Sequence, residues 1–284
     1  MTPPPPASMP LQQRILQLAQ TLQFAWFCGH LTLLFCTLRY GLSYITFNYY
    51  SRWAKFNYRT AFIAAAVTYG IVVFKAYRAR AKSGRGAGGA LALAGDENVQ
   101  YLAMALVWLF SKQTPLAILP FAVYSIFHVA TYTRSNLLPT LQPPQQSATQ
   151  GQKPAPSALS DNIGRFVKEY YDTSMTLVAV LEIALWVRLA GSALLFQRGS
   201  WILLALYTAF LRARIAQSSF VQGAIAQLAA RGDAAVNRQN MPPAARQAWG
   251  TVKGGLKSAH DLTDLGRYAQ GQQQQAGAGP KKAQ

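Results

Sequence analysis

The sequence predicts an all-α polytopic integral membrane protein, made of short helical hairpins plus C-terminal amphipathic helices. Hydrophobic residues make up 51% of the 284 residues and charged residues only 13%, whereas soluble domains carry about 25% charged residues. Lys and Arg outnumber Asp and Glu by 27 to 9, a surplus typical of proteins that bind nucleic acid or an anionic membrane surface. Because the aromatic residues are interleaved with apolar segments, we predict a lipid bilayer with anionic headgroups as the partner, and no nucleic acid.

The first hairpin is predicted over residues 22–77, after a disordered N-terminus and helix entry at 1–21. Its first membrane helix is 22–38, which contains no formally charged side chain, and its second is 60–77. The aromatic loop between them is expected at the interface, because Tyr and Trp concentrate where a membrane meets water. The predicted membrane-interface residues are Tyr44, Tyr49, Tyr50 and Trp53, with Arg52, Lys55 and Arg59 expected to reach lipid phosphates.

The middle of the chain predicts a loop, a second hairpin and a linker. Residues 78–95 are basic and rich in glycine, which is typical of a flexible loop. Residues 96–133 form the second hydrophobic hairpin, broken at Pro115; one long kinked helix is the alternative interpretation. Residues 134–160 are rich in Pro and Gln and indicate a disordered linker.

The third hairpin is predicted within residues 161–214, where an interfacial amphipathic helix leads into a membrane helix at 173–196 and then a shorter leg. Counting Lys and Arg in the connecting segments favours both termini in the cytosol. The four basic residues of the aromatic loop weaken that bias.

Residues 215–284 are predicted to be a basic cytosolic tail with two amphipathic helices. Each helix either lies among lipid headgroups or packs on a partner or on the membrane bundle itself. The chain ends in KKAQ, which resembles a dilysine retrieval signal of the endoplasmic reticulum. The tail residues concerned are Phe220, Val221, Ile225 and Leu228 in the first helix, Trp249, Val252, Lys253, Leu256 and Lys257 in the second, and Lys281 and Lys282 in the retrieval signal.

Ionisable residues inside apolar segments suggest function by default, because their burial is unfavourable. His30 and Glu182 could form the proton relay of a small transporter. We favour structural roles, with His30 hydrogen-bonded between helices and Glu182 partnered by a neighbouring helix, since Arg188 is six residues from Glu182 and off its helical face. The spacing of Ser, Cys, His and acidic residues suggests neither a catalytic nor a metal site, so we predict no enzyme and no cofactor.

Four segments carry a family resemblance: LRYGLSYITFNYYSRWAKFNYR, GDENVQYLAMALVWLFS, LPFAVYSIFHVATYTR and FVKEYYDTSMTLVAVLEIALWVRL. Together they resemble the fungal branch of the transmembrane protein thirty-three family, over roughly residues 20–225. The resemblance implies a protein of the endoplasmic reticulum and nuclear envelope, associated with reticulon-type membrane-shaping proteins. It further implies a role with nucleoporins in nuclear pore biogenesis or distribution, and tail helices that recognise curved membrane and contact a nuclear import receptor.

These observations favour a non-enzymatic protein that shapes or stabilises curved membrane. An adaptor whose basic tail recruits import receptors or nucleoporins, and a transporter using His30 and Glu182, are the alternatives.

Overall fold

The computed structural model describes residues 9–82, 95–142, 157–238 and 241–262. In those ranges every regular element is a helix, so the all-α fold class is confirmed. The chain divides into two compact units, one ending at Ala224 and one beginning at Ile225. The helices in chain order are α1 Leu11–Ala19, α2 Leu22–Ile45, α3 Arg52–Lys82, α4 Glu97–Phe110, α5 Pro115–Tyr132, α6 Leu138–Leu141, α7 Ala158–Leu194, α8 Ser200–Gln217, α9 Ser219–Val236 and α10 Pro243–Leu262.

Three helical hairpins make up the first unit, namely α2–α3, α4–α5 and α7–α8. Within the first hairpin α2 packs on α3, and within the third α7 packs on α8. Between hairpins, α3 packs on α4, α2 on α5, and α5 on α7. Within α2–α3, the backbones approach closely at Gly29, where an added Cβ would lie 2.5 Å from Cγ2 of Thr68. Small residues at such contacts let membrane helices pack closely.

The turns of the first two hairpins lie at the same end of this bundle. The backbone N–H of Thr114 donates to the hydroxyl of Tyr58 over 3.1 Å, and the Tyr40 hydroxyl donates to Oε1 of Gln113 over 3.3 Å. Arg59 donates to the carbonyls of Trp108 and Leu109 at the end of α4. We call this end, with turns 46–51, 111–114 and 195–199, the turn end.

The opposite end, which we call the terminal end, joins the start of α4 to the ends of α3 and α8. Arg80 and Asp96 form an ion pair of 3.7 Å, and Nε2 of Gln217 donates to the carbonyl of Gly95 over 3.0 Å. The Asp96 side chain also caps α4 by accepting from the backbone N–H of Asn98, as its position before an apolar helix predicts.

Several helices are long enough to cross a bilayer. Among the described residues, Arg52–Lys82, Pro115–Leu141 and Ala158–Leu194 qualify by length and composition, and the bent pair α1–α2 makes a fourth if it counts as one span. By contrast, α4 has 14 residues, which corresponds to about 21 Å at the helical rise and is shorter than the hydrocarbon core of about 30 Å.

The first hairpin differs from its sequence prediction. Helix α2 continues to Ile45 and α3 begins at Arg52, so the aromatic loop shrinks to the turn 46–51. The reason is capping: the backbone N–H of Ala54 bonds to the Ser51 hydroxyl and starts α3 early. Most predicted interface residues therefore lie on helices.

The two predicted connections are also shorter than expected. Helix α3 continues through residues 78–82, and α5 runs on through a π-helical turn, Thr133–Leu137, into α6. Asn136 and Thr140 are buried and Thr140 bonds back to the Asn136 carbonyl, which holds this extension in place. The end of the predicted linker belongs to α7, which begins at Ala158 with Ser157 as its cap. Residues 83–94 and 143–156 lie outside the described residues.

The third hairpin also differs in detail, because the predicted interfacial helix and membrane helix are one continuous helix, α7. The second hairpin does have two separate helices, interrupted between Phe110 and Pro115, rather than one kinked helix. Residues 1–8 and the retrieval signal at Lys281 and Lys282 lie outside the described part of the chain.

Candidate functional site

Two turns at the turn end share an unusual backbone geometry. Phe47 and Phe196 have φ angles of 54° and 51°, in the left-handed region that bulky residues rarely adopt. In each turn the phenylalanine N–H bonds to the carbonyl three residues earlier (3.0 and 2.9 Å), and the next N–H bonds to the carbonyl five residues earlier (2.7 and 3.1 Å). This is the Schellman helix ending, in which glycine normally occupies the left-handed position. Both rings are nevertheless exposed, at 86% and 82%.

Exposed aromatic side chains surround these two tips. The turn end exposes rings from all three hairpins: Phe47, Tyr50, Trp53, Phe56, Phe110, Phe196 and Trp201. Tyr44 and Tyr49 stack on each other with ring centres 4.8 Å apart. The sequence analysis identified the rings of the first hairpin as interfacial and overlooked Phe110, Phe196 and Trp201, although each directly adjoins a helix break.

The three predicted lipid-contacting cations take different positions. Arg52 and Lys55 are exposed beside the aromatic tips. Arg59 instead turns inward and donates to the carbonyls at the end of α4. It therefore satisfies helix-end acceptors that α4 would otherwise leave without partners.

An additional helix, α1, lies at the terminal end. The axis of α1 bends by 79° from that of α2, and α1 packs on α6. Leu18 of α1 is buried with Phe27 and Tyr132, which fixes α1 beside α2 and α5. Next to Leu18 on the helix surface, α1 exposes Leu11 and Ile15, and Leu16 is exposed further round the helix. An apolar face of this kind on a helix turned away from the bundle axis is typical of interfacial helices.

A buried ionic network joins four helices at the centre of the first unit. The Glu182 side chain, 1% exposed, accepts from the Tyr101 hydroxyl over 2.5 Å and lies 3.4 Å from Nε of Arg214, which is 5% exposed. Arg214 also contacts Oε1 of Glu97 at 3.0 Å and donates to the hydroxyl of Tyr124 over 3.2 Å. Glu182 therefore has a partner on a neighbouring helix, as predicted.

Arg214 is the member that the sequence analysis missed, because it was counted with the basic tail. Its position was readable from the spacing of Tyr207, Leu211 and Arg214, which places all three on one face of α8. All three are buried, and the Tyr207 hydroxyl donates to the Glu182 carbonyl over 3.1 Å.

The second polar cluster lies between α2 and α5. Nδ1 of His30 lies 2.8 Å from the Ser125 hydroxyl, which confirms the expected hydrogen bond between helices. The His30 and His128 rings are 4.7 Å apart, and Trp26 contacts both edge-to-face. His30 and Glu182 thus belong to different clusters. In the described ranges, three or more potential metal ligands do not come together anywhere.

The first predicted tail stripe divides between two environments. Val221 is fully buried against Ala179 and Leu211, and Phe220 packs on the same cluster. Ile225 and Leu228, further along α9, are exposed. The beginning of this stripe therefore packs on the membrane bundle, the second of the two alternatives that the sequence left open.

The second stripe engages the end of α9 within the second unit. Nε1 of Trp249 donates to Oδ1 of Asp233 over 2.7 Å, and Nζ of Lys253 contacts the same oxygen. These hydrogen bonds, first from Lys253 and then from Trp249, lower the pKa of the Asp233 carboxyl. Gly232 permits the contact, since an added Cβ would lie 2.3 Å from the indole. Val252 is exposed, while the Leu256 and Lys257 side chains lie outside the description.

The family model and the similar proteins agree on one family. The family model described as Transmembrane protein 33/Nucleoporin POM33 matches residues 4–258. Nucleoporin POM33 of Chaetomium thermophilum is 54% identical over 291 residues, covering 100% of both chains. Tetra-spanning protein 1 of Schizosaccharomyces pombe is 32% identical and covers 86% of each chain. Pore membrane protein of 33 kDa of Saccharomyces cerevisiae is 28% identical, covering 86% of this chain and 85% of its own. No solved structure matches the chain.

Proposed function

Because the chain belongs to the Transmembrane protein 33/Nucleoporin POM33 family, we propose that it is a non-enzymatic protein of the endoplasmic reticulum and nuclear envelope that stabilises curved membrane and supports nuclear pore complexes. Two relatives carry names that identify them as a nucleoporin or a pore membrane protein. Sharp membrane curvature is the physical requirement at a pore, where two flat membranes join.

The observation that carries this proposal is the additional helix at one end of the bundle. Helix α1, bent by 79° from α2, adds lateral area at the terminal end, whereas the turn end consists of three short turns. A protein that occupies more area in one leaflet than in the other favours bending toward the narrower side.

The aromatic tips would anchor the narrow end. Exposed phenylalanine and tryptophan rings prefer the boundary between hydrocarbon and headgroups, and Arg52 and Lys55 next to them suit anionic lipid. Each basic residue near such a surface contributes about 1 kcal/mol. We infer that Phe47 and Phe196 are held in a strained conformation because their rings are buried in lipid.

We propose that the terminal end and both chain termini face the cytosol. Segments rich in Lys and Arg, including the start of α7 and the end of α3, belong to the terminal end, and the positive-inside rule favours the cytosol for such an end. Labelling of single cysteines at Asn48, Gln197 and Lys82 with a membrane-impermeant maleimide tests this orientation, in a background lacking Cys28 and Cys36. In sealed microsomes, only the Lys82 position should react.

The tail provides the basis of a second function, that of an adaptor. The second unit begins at Ile225 and has more Lys and Arg than Asp and Glu, which suits it to recruit soluble partners. The partners we propose are nucleoporins and a nuclear import receptor for the tail, and reticulon-type proteins for the membrane bundle. The transporter hypothesis has less support, because Arg214 and Tyr101 already engage the Glu182 carboxylate.

The pore role is tested by the cellular distribution of the protein. The full chain and a version ending at Ala224, each with a fluorescent tag, would be imaged together with a tagged nucleoporin. Enrichment of the full chain at nucleoporin foci supports the proposal, and loss of enrichment in the shorter version assigns recruitment to the tail. An even distribution of the full chain through the reticulum would contradict a pore-specific role. The same imaging tests the retrieval signal. If Lys281 and Lys282 are required, the double variant Lys281→Ala with Lys282→Ala should leave the endoplasmic reticulum.

A further inference from the structure

A cavity of about 540 Å³ opens between helices near the terminal end. It lies within the first unit, and α2, α3, α4, α5 and α7 all contribute to its wall. Its size falls in the range of about 300–1,000 Å³ typical of ligand sites, which combine apolar and aromatic walls with a few polar groups.

The polar groups of the cavity are not distributed at random. Its inner wall includes Tyr69, Tyr101 and Met175, which are buried. Its outer part includes Lys75 and Glu97, which are exposed, together with the amide of Asn98. The outer part therefore contains a cation, a carboxylate and the amide of Asn98. The amide of Gln23 and the imidazole of His128 also line the cavity, and the rest of its wall is mostly hydrocarbon and aromatic ring.

The location of the cavity indicates what kind of molecule would fill it. Glu97 and Asn98 begin α4, next to the ion pair of Arg80 and Asp96, so the entrance lies near the level of the lipid headgroups. The interior extends toward the centre of the bundle, as far as Tyr101 and Tyr124. A ligand must therefore present charge at the headgroup level and apolar chain below it.

We propose that this cavity binds one glycerophospholipid whose headgroup carries a phosphate and a primary ammonium group. The phosphate would lie against Lys75 and the amide of Asn98, and an acyl chain along Tyr69 and Met175. The ammonium would lie against the half-exposed Glu97 carboxylate, whose Oε1 also contacts Arg214 at 3.0 Å. Opposite charges on the rim match this zwitterionic headgroup better than a purely anionic lipid or an uncharged sterol. Hydrogen bonds to charged partners are among the stronger polar contacts.

Native mass spectrometry of the full chain in detergent tests the site. The protein would be titrated with palmitoyl-oleoyl-phosphatidylethanolamine, and separately with the corresponding phosphatidylcholine, phosphatidic acid and cholesterol. We expect one saturable phosphatidylethanolamine adduct, which binds more tightly than the other three lipids. A wild-type protein without that saturable adduct, or one that prefers cholesterol or phosphatidic acid, would overturn the proposal.

Two matched pairs of variants locate the adduct. Met175→Trp fills the cavity, while Leu177→Trp places the same ring on the exposed face of the same helix. Lys75→Glu reverses the charge at the entrance, while Arg78→Glu does so at an exposed position that does not line the cavity. We expect the first member of each pair to weaken binding by about tenfold, a change of about 1.4 kcal/mol, and the second to leave it unchanged. Equal effects within both pairs would refute the site; if Met175→Trp does not fold, the exposed Lys75 and Arg78 positions decide.

Discussion

Phe47 and Phe196 occupy equivalent positions in two different hairpins, each with a left-handed backbone and an exposed ring. A non-glycine residue in this conformation costs on the order of 1–3 kcal/mol. Because both turns combine the same left-handed φ angle with the same hydrogen bonds, we infer that one common cause acts on both phenylalanines. We attribute it to the lipid contact of the rings.

Replacing both phenylalanines with asparagine should separate stability from membrane contact. Asn adopts the left-handed conformation more readily, so Phe47→Asn with Phe196→Asn should raise the melting temperature in detergent, by about 2–4 °C per kcal/mol of strain released. The same protein in bilayers should show weaker quenching of Trp53 and Trp201 by brominated lipid. Phe110→Asn, at the same end but on a right-handed helix, is the control and should give no stabilisation. A double variant that is less stable in detergent would contradict lipid-driven strain.

The Glu182–Arg214 pair should be strongly coupled. Removing one partner of a buried pair typically destabilises by about 3–5 kcal/mol, so Glu182→Gln should lower the free energy of unfolding by an amount near the lower value, because Glu97 still contacts Arg214. Combining Glu182→Met with Arg214→Met should recover much of that loss, since apolar replacement of a buried pair is often neutral. Denaturant unfolding in detergent measures both. Additive losses in the double variant would show that the two residues act independently.

Gly29 should be intolerant of a methyl group, unlike Gly41. Gly29→Ala would force its new Cβ toward Thr68, whereas Gly41 has open space. We therefore expect Gly29→Ala to destabilise the first hairpin and Gly41→Ala to stabilise α2 by about 1 kcal/mol through helix propensity. Thr68→Ser removes the opposing methyl group and should rescue Gly29→Ala in thermal unfolding. Failure of that rescue would mean that another contact limits the position.

Acid should release the contact between Trp249 and Asp233. Hydrogen bonds from Lys253 and Trp249 lower the Asp233 pKa, so they stabilise the contact between α9 and α10. This stabilisation is fully present when the pH is above 3.8, the ordinary pKa of the carboxyl. This stabilisation is lost as the pH falls below that value and through the lowered pKa. The fluorescence difference between the full chain and Trp249→Phe should therefore change only below about pH 4. Asp233→Asn should abolish the transition, and the exposed Asp161→Asn should preserve it; a transition that persists in Asp233→Asn would assign it to another group.

The sequence predicted most of the helical order because long apolar segments and Pro115 carry strong local signals. Turn boundaries were less accurately predicted. The early start of α3 depends on the Ser51 cap, a local signal that the apolar pattern alone does not include. The extension of α5 depends on burial of Asn136 and Thr140, which local periodicity does not show.

The site shows the same division between local and long-range information. Composition predicted an aromatic interface, which stays a prediction, and the cost of burial correctly indicated that Glu182 needs a partner on another helix. The buried position of Arg214 was readable from its helical spacing with Tyr207 and Leu211, but its ionic partners and the cavity arise from packing between distant segments, which local patterns do not show. Val221 belongs to an amphipathic stripe by periodicity, yet its neighbours Ala179 and Leu211 determine that it is 0% exposed.

The most direct test of membrane shaping is the form of liposomes that contain the purified full chain at increasing protein-to-lipid ratios, viewed by electron microscopy. A version ending at Ala224 serves as the comparison, because it retains the entire first unit. Our account predicts tubules or small vesicles from both proteins, since the wedge lies in the hairpin bundle. Tubules from the full chain only would move the activity to the tail, and unchanged spheres from both would contradict intrinsic membrane shaping.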